Sequence, residues 1–413
     1  MFVIYSKEKQ SVPLKVWGKR EEVEDECISQ AINLTDLPFA FHHVALMPDC
    51  HPGFGMPIGG VFASKDCVIP YAVGNDIGCG MRFIHTNIPT SLLQVKTPNE
   101  NLAQTIADDI IRNIPLGFNH HKEPQIDRRL ESCYYDFNES MRRDGLGVEL
   151  LPELEKSFYQ LGTLGSGNHF IELQKDEEDN LGIMVHSGSR NLGYRICEYF
   201  HGIAKELNRK WYSSIPTEEL AFLPINSKEG SLYIKWADLA LTFAHFNREL
   251  MMKRIKNIVF NMVKKYTDFN CIKTDIDIDV HHNYVKLENH FNENVWVHRK
   301  GAIQTRKGVL GIVPGAMGSY SYIVEGLGNP NSFCSCSHGA GRKMGRKEAE
   351  RTFELKAMFE DLKKQNTLLF TPNKNAVLDE VRWAYKDIEE VMEESKDLVS
   401  PIMKLKGLVV IKG

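Results

Sequence analysis

A chain of 413 residues, 42% hydrophobic and 25% charged, can bury a large core and reads as a water-soluble globular protein. Its formal net charge of −4 argues against a sequence-indifferent nucleic-acid coat, which carries a basic surface, but leaves room for a local basic groove. Nine cysteines, most of them isolated, argue against a secreted disulfide framework and fit a reducing cytosol. No apolar run reaches the roughly 20 residues that cross a bilayer. The first residues, through Lys9, have no apolar stretch after their lysines, so a cytoplasmic location with no membrane anchor is expected.

In chain order, residues 57–73 are expected to form a short buried strand. A helix is predicted over about 98–112, with Thr97 as cap, Pro98 in the first position and Glu100 completing a capping box. The polar, irregular stretch 118–150 reads as a surface excursion. Residues 182–186 form a second buried strand, and helical periodicity follows over 191–212 and again, at length, over 231–266, where Lys264 and Lys265 suit a last turn. From Ile272 to Val280 apolar and acidic residues alternate (Ile276, Ile278 and Val280 against Asp275, Asp277 and Asp279), the period of a half-buried strand. Val295 to Val297 and Val309 to Val313 are shorter strands, and two helices are expected over 344–365 and 387–398. Strands and helices do not alternate regularly, which argues against a doubly wound parallel sheet. Glycine-rich loops scattered from 53 to 345 would have to converge. One large α+β domain over 1–413 is therefore expected, with mixed sheets, surrounding helices and a central cleft.

Chemistry-bearing residues sit in five short segments. Asp49 and His51 lie two apart among glycines that let backbone approach a ligand, although a capped turn with a surface histidine reads the same way. Asp76-Ile-Gly-Cys79 can offer an oxygen and a thiolate to one metal, and a thiolate can bridge two. Alone, it could equally be a buried free cysteine beside a capping aspartate. His169 follows a tight glycine turn, and His186 ends an apolar strand just before Arg190. His281 and His282 end the alternating strand. Imidazole, carboxylate and thiolate together suit a divalent transition ion better than magnesium. Cys334 and Cys336 lack a second pair and read as core packing. His338, between small residues and four before Arg342, can attack phosphorus while an arginine holds the developing charge. A histidine in the turn before a helix is its plain alternative.

Taken in order, Met47-Pro-Asp49-Cys-His51, Asp76-x-x-Cys79-Gly, Gly167-Asn168-His169-Phe, His186-Ser-Gly-Ser-Arg190, His282-Asn283-Tyr284, Pro314-Gly-Ala-Met-Gly-Ser-Tyr-Ser321 and Ser337-His338-Gly-Ala-Gly-Arg342 resemble the successive motifs of the RtcB RNA ligases. The ending Val410-Ile-Lys412-Gly413 matches as well. The resemblance implies a GTP- and Mn²⁺-dependent enzyme joining RNA 2′,3′-cyclic phosphate or 3′-phosphate ends to 5′-hydroxyl ends. His338 would be guanylylated, and GMP would pass to the RNA 3′-phosphate before sealing. One ion would be held by Asp76, Cys79 and His169, the other by Cys79, His186 and His282. Asn168, Glu172, Ser321, Tyr385 and Lys412 would contact GMP, Arg190 and Arg342 would face phosphates, and Asp49 would lie near the RNA ends. An archease-like activator is a partner the resemblance admits. Ala316 departs from the family's usual serine and removes one hydroxyl from the nucleotide site. The chain has neither a Gly-x-x-x-x-Gly-Lys-Ser/Thr phosphate loop nor the Lys-x-Asp-Gly of lysine-using ligases; its nearest approach, Arg142-Arg-Asp-Gly145, has arginine for the lysine. A phosphoesterase that opened cyclic phosphates without joining them would need the metals but not His338 or Lys412.

Overall fold

The computed structural model describes residues 1–98, 100–144 and 147–413. Two mixed sheets carry the fold. The larger has the strand order Thr274–His281, Gly80–Pro89, Asn180–Ser187, Phe170–Lys175, Val399–Lys412, Tyr320–Gly326, Leu310–Val313, with Leu368–Phe370 added in parallel to the long strand Val399–Lys412. The smaller runs Phe2–Ile4, Leu14–Val16, Ala40–His51, Ile58–Ser64, Glu293–Lys300, Asn283–His290. The chain steps from one sheet to the other between His281 and Asn283, so His282 stands at the crossing.

The predicted alternation after Ile272 is realised, with Ile278 buried and Asp275 and Asp277 exposed. The 182–186 strand is the middle of Asn180–Ser187. The 57–73 segment is instead a strand, Ile58–Ser64, a two-residue strand and a one-turn helix, Pro70–Val73, where Pro70 takes the first helical position. The expected capping box at Thr97 does not form: the helix is Leu102–Asn113, and Asn101 caps it by accepting from the Gln104 N–H at 2.9 Å. Asn99, inside the predicted helix, lies outside the described residues. The 344–365 helix is two, Arg346–Thr352 and Leu355–Lys364.

The long helix, Lys228–Tyr266, is capped by Ser227, whose hydroxyl accepts from the Gly230 N–H at 3.0 Å. It lends Trp236, Phe243 and Ala240 to one core and Met251, Ile255 and Val259 to another under the large sheet. The stretch 118–150 is more than an excursion. Its helix Arg128–Asp144 buries Leu130 and Tyr134 in the first of these cores, and Phe137 meets Trp236 edge-on at 4.6 Å. Gly145 and Leu146 of that stretch lie outside the described residues. Among the described residues, no helix is long and apolar enough to cross a membrane.

Candidate active site

Strand register gathers the thiol and imidazoles. Ser187 pairs with Gly80 and His186 with Met81; His186 also pairs with Phe170, and His281 with Gly80. Cys79, His169, His186 and His282 are thereby brought to one end of the large sheet. The Cys79 Sγ lies 3.4 Å from His169 Nε2 and 3.2 Å from His186 Nε2. Asp76 Oδ2 is 3.1 Å from His169 Nε2. The rings of His186 and His282 are 5.1 Å apart, and all four thiol and imidazole side chains are buried. His169 donates from Nδ1 to the Leu164 carbonyl at 2.9 Å, which leaves Nε2 as its ligand nitrogen. Gly188 is required beside this group, because a Cβ there would stand 2.2 Å from Asp76 Oδ1.

The chemistry of this set fits divalent metal. His282 keeps a buried Nδ1 with no hydrogen-bond partner. Burial, and then the neighbouring Asp76, push the Cys79 thiol well above its usual range, a cost that a bound cation reverses. Burial holds His186 and His282 neutral, as ligands must be. The long helix braces the loops from behind. Arg248 donates to the carbonyls of Gly78 and Ser187, both at 2.9 Å, and pairs with Asp279. Asn247 ties Gly162, Thr163 and Gly188 together.

His338 lies next to this group, its ring 4.8 Å from that of His282. It follows the short strand Ser335–Ser337 and meets the end of Ala40–His51 from the smaller sheet. There the fully buried Asp49 accepts from His338 Nδ1 at 2.7 Å and from its backbone N–H at 3.1 Å. The carboxylate fixes Nδ1 as the protonated nitrogen and leaves the Nε2 lone pair free. The turn after His338 needs Gly341 (φ +70°), where a Cβ would meet the Asp49 carbonyl at 2.1 Å.

A cavity of about 1020 Å³ opens in front of His338 and His186, lined also by Asn168, Glu172, Ala316, Tyr385 and Lys412. Lys412, far from a loose end, pairs with Phe170 in the sheet and donates to Glu380 at 2.9 Å. Tyr385 donates to the same carboxylate at 2.8 Å, and Arg342 and Arg346 reach its other oxygen at 3.2 and 3.0 Å. Burial alone would raise the Glu380 carboxyl; Lys412 and Arg346 hold it well below the usual range. Glu172 is different. Burial pushes its carboxyl up to about 7, against a 2.6 Å bond from Gln174, whose amide is also 3.4 Å from the Ser321 hydroxyl.

Most of the residues singled out in the sequence thus converge on one place. Arg190 does not line the cavity. It sits at the start of its helix with φ +58° and spends its guanidinium on Thr163 and the Gly117 carbonyl. Arg342 lines the cavity, but its guanidinium is occupied by Glu380, Tyr385 and two carbonyls, whereas Arg346 is more open. Glu380, Asp379, Arg346, Asn247 and Arg248 were not found from the sequence; of these only Arg346, directly after Gly345, adjoins a glycine-rich motif. Cys336 is core packing, as read.

Residues 30–413 match the protein family described as tRNA-splicing ligase RtcB. The chain belongs to the RtcB family. It is 37% identical to the RNA-splicing ligase RtcB of Escherichia coli K12 over 410 residues, 98% of each chain. It is 31% identical to the tRNA-splicing ligase RtcB of Methanococcus maripaludis, over 95% of this chain and 92% of that one. A third relative, the RNA-splicing ligase RtcB of Mycobacterium bovis, is 29% identical over 93% of this chain and all of its own. RtcB membership makes this chain an enzyme of the RNA-ligase class.

Proposed function

We propose that this RtcB-family chain joins RNA 2′,3′-cyclic phosphate or 3′-phosphate ends to 5′-hydroxyl ends, using GTP and two Mn²⁺ ions. The observation that carries the reading is His338, held at Nδ1 by buried Asp49 on a cavity shared with Glu172 and Lys412. Its Nε2 lone pair attacks the α-phosphorus of GTP; an N–P bond forms, the bond to the β-phosphate oxygen breaks, and pyrophosphate leaves. A 2′,3′-cyclic phosphate is first opened by water, which adds to phosphorus as the bond to the 2′-oxygen breaks and leaves a 3′-phosphate and a 2′-hydroxyl. An oxygen of the RNA 3′-phosphate then takes GMP from Nε2. The 5′-hydroxyl oxygen finally attacks the RNA phosphorus, GMP departs and the hydroxyl proton is released. Asp49 keeps the imidazole in its reactive tautomer and balances the charge it acquires on modification. Lys412, set by Glu380, and Arg346 are cations on the cavity lining that would meet the phosphates. Asp76, Cys79 and His169 would hold one ion, and Cys79, His186 and His282 the other; when bound, the ions polarise phosphoryl oxygens and orient attacking and leaving groups. Incubation with α-labelled GTP and Mn²⁺, followed by proteolysis, is expected to give one labelled peptide, acid-labile and alkali-stable, that contains His338. A label on lysine, or none, would reject the mechanism.

Glu172 accounts for the choice of guanine. Its carboxylate accepts from the N1–H and exocyclic N–H of guanine, which adenine cannot offer together. Ionisation is needed, and with a carboxyl titrating at about 7 the charged form is lost as pH falls. Affinity for a non-hydrolysable GTP analogue should therefore drop about tenfold from pH 8 to pH 6. Glu172→Gln is expected to flatten that profile and narrow the preference over the ATP analogue. Superimposable profiles for the two proteins would remove Glu172 from recognition.

A further inference from the structure

The cavity mouth carries an aromatic ring that the chemistry above does not use. Phe54 lines the cavity and is 71% exposed, so its ring face is open to whatever enters the mouth. Its loop, Pro52 to Gly55, is fastened on every side. Gln30 makes both amide bonds to Gly53, at 2.8 and 3.0 Å; Glu219 accepts from the Gly55 N–H at 2.6 Å; the Lys300 ammonium donates to the Phe54 carbonyl. The mount holds the ring at the mouth of the cavity, where among the described residues it makes no aromatic or cation–π contact. The loop also stands close to His338. Ile58 lies between them, 3.4 Å from where a Gly53 Cβ would be and 2.3 Å from where a Gly301 Cβ would be, and the latter point is 3.0 Å from His338 Cε1.

We propose that the Phe54 ring is the platform on which the nucleobase of the RNA 3′-terminal nucleotide stacks while its phosphate is presented to His338. This rests on the RNA-joining reading above. The nucleotide whose phosphate receives GMP must reach His338, and its base is the part that extends toward the mouth. The surroundings choose the base over the phosphate. Glu24 and Glu26 line the same rim, and Gln30, which holds Gly53, also reaches Glu26; carboxylates there repel a phosphate but not a neutral base. Arg346, Lys347 and Arg351 line the cavity from a separate element, the helix Arg346–Thr352, and Lys300, beside the loop, is spent on the carbonyls of Phe54 and Tyr71. Stacking on an aromatic face accepts any base, so the platform positions the end without reading sequence.

Phe54→Leu keeps an apolar side chain on the same loop and removes the aromatic face; Phe54→Tyr and Phe54→Trp keep it. All three are expected to label His338 with GTP at the wild-type rate, since no RNA is involved. For a 3′-phosphate RNA, Phe54→Leu should raise KM and the dissociation constant about tenfold, with kcat little changed, and the aromatic variants should restore both. An RNA with an abasic 3′-terminal residue should bind wild type as weakly as Phe54→Leu binds the ordinary RNA, and Phe54→Leu should lose nothing further on it. Equal losses on abasic and ordinary RNA, or wild-type binding by Phe54→Leu, would overturn the proposal. A missing dependence on a base at the 5′-hydroxyl end is also expected; finding it there instead would overturn the assignment to the 3′ end. Binding measured by fluorescence anisotropy decides these points even in an enzyme that forms no guanylate, so failure of the platform and failure of the ligase reading are distinguishable.

Discussion

His338→Ala is expected to retain no covalent guanylate, and Asp49→Asn to label at a rate lowered by roughly 10³- to 10⁴-fold, the loss typical when a carboxylate behind a reactive histidine becomes an amide. The reason is tautomeric. Asp49 accepts twice from His338, from Nδ1 and from the backbone N–H, through the same buried oxygen. An asparagine can turn its NH₂ toward the ring, which moves the proton to Nε2 and removes the attacking lone pair. Turned the other way, it still lacks the charge that balances the modified imidazole. Both variants should keep two metal ions by elemental analysis, because neither residue belongs to the thiol–imidazole cluster. Asp49→Asn that labelled at near wild-type rate would reduce the bond to a structural role.

His338 and the candidate ligands Asp76, Cys79, His169 and His186 were legible because each lies in a short motif with glycine close to a ligand-type side chain; His282 stood out instead at the end of an alternating strand. Their convergence was not legible from spacing. It depends on the register that aligns the beginnings of two strands with the ends of two others, and Gly80–Pro89 takes its partners from segments 90 or more residues away. The supporting residues were hidden for a different reason. Asn247 and Arg248 sit in a 39-residue helix, where an asparagine and an arginine ordinarily face solvent; only the packed structure shows them turned into the loops behind Cys79 and His186. Glu380 stands in a 3-10 segment without periodicity, and its importance is that three basic groups and Tyr385 share it. The central strand Val399–Lys412 was missed altogether. Pro401 and three lysines disguise it, and the proline is tolerated because the register with Tyr320–Gly326 slips beside it. The 118–150 stretch looked polar because only one face of its helix, marked by Leu130 and Tyr134, meets the core.

Cys79→Ala should empty the metal site more completely than any other single change at it. The Sγ stands between the two halves of the cluster, 3.4 Å from His169 Nε2 on the Asp76 side and 3.2 Å from His186 Nε2 on the His282 side. Without it each half keeps two protein donors, too few to hold a divalent ion through desalting. His169→Ala or His186→Ala removes a donor from one half and should leave the other ion in place. Losing a mere second-sphere partner lowers metal affinity roughly 10- to 100-fold, so losing a shared ligand should exceed that for both ions together. Metal content should also fall as pH is lowered in every variant, since thiolate and neutral imidazole must shed protons to bind, and most steeply where fewest donors remain. Elemental analysis on gel-filtered protein, with Mn²⁺ added back in a titration, measures this directly, and circular dichroism checks that the sheet ends have stayed folded. Two ions held tightly by a folded Cys79→Ala protein would show that the thiolate bridges nothing.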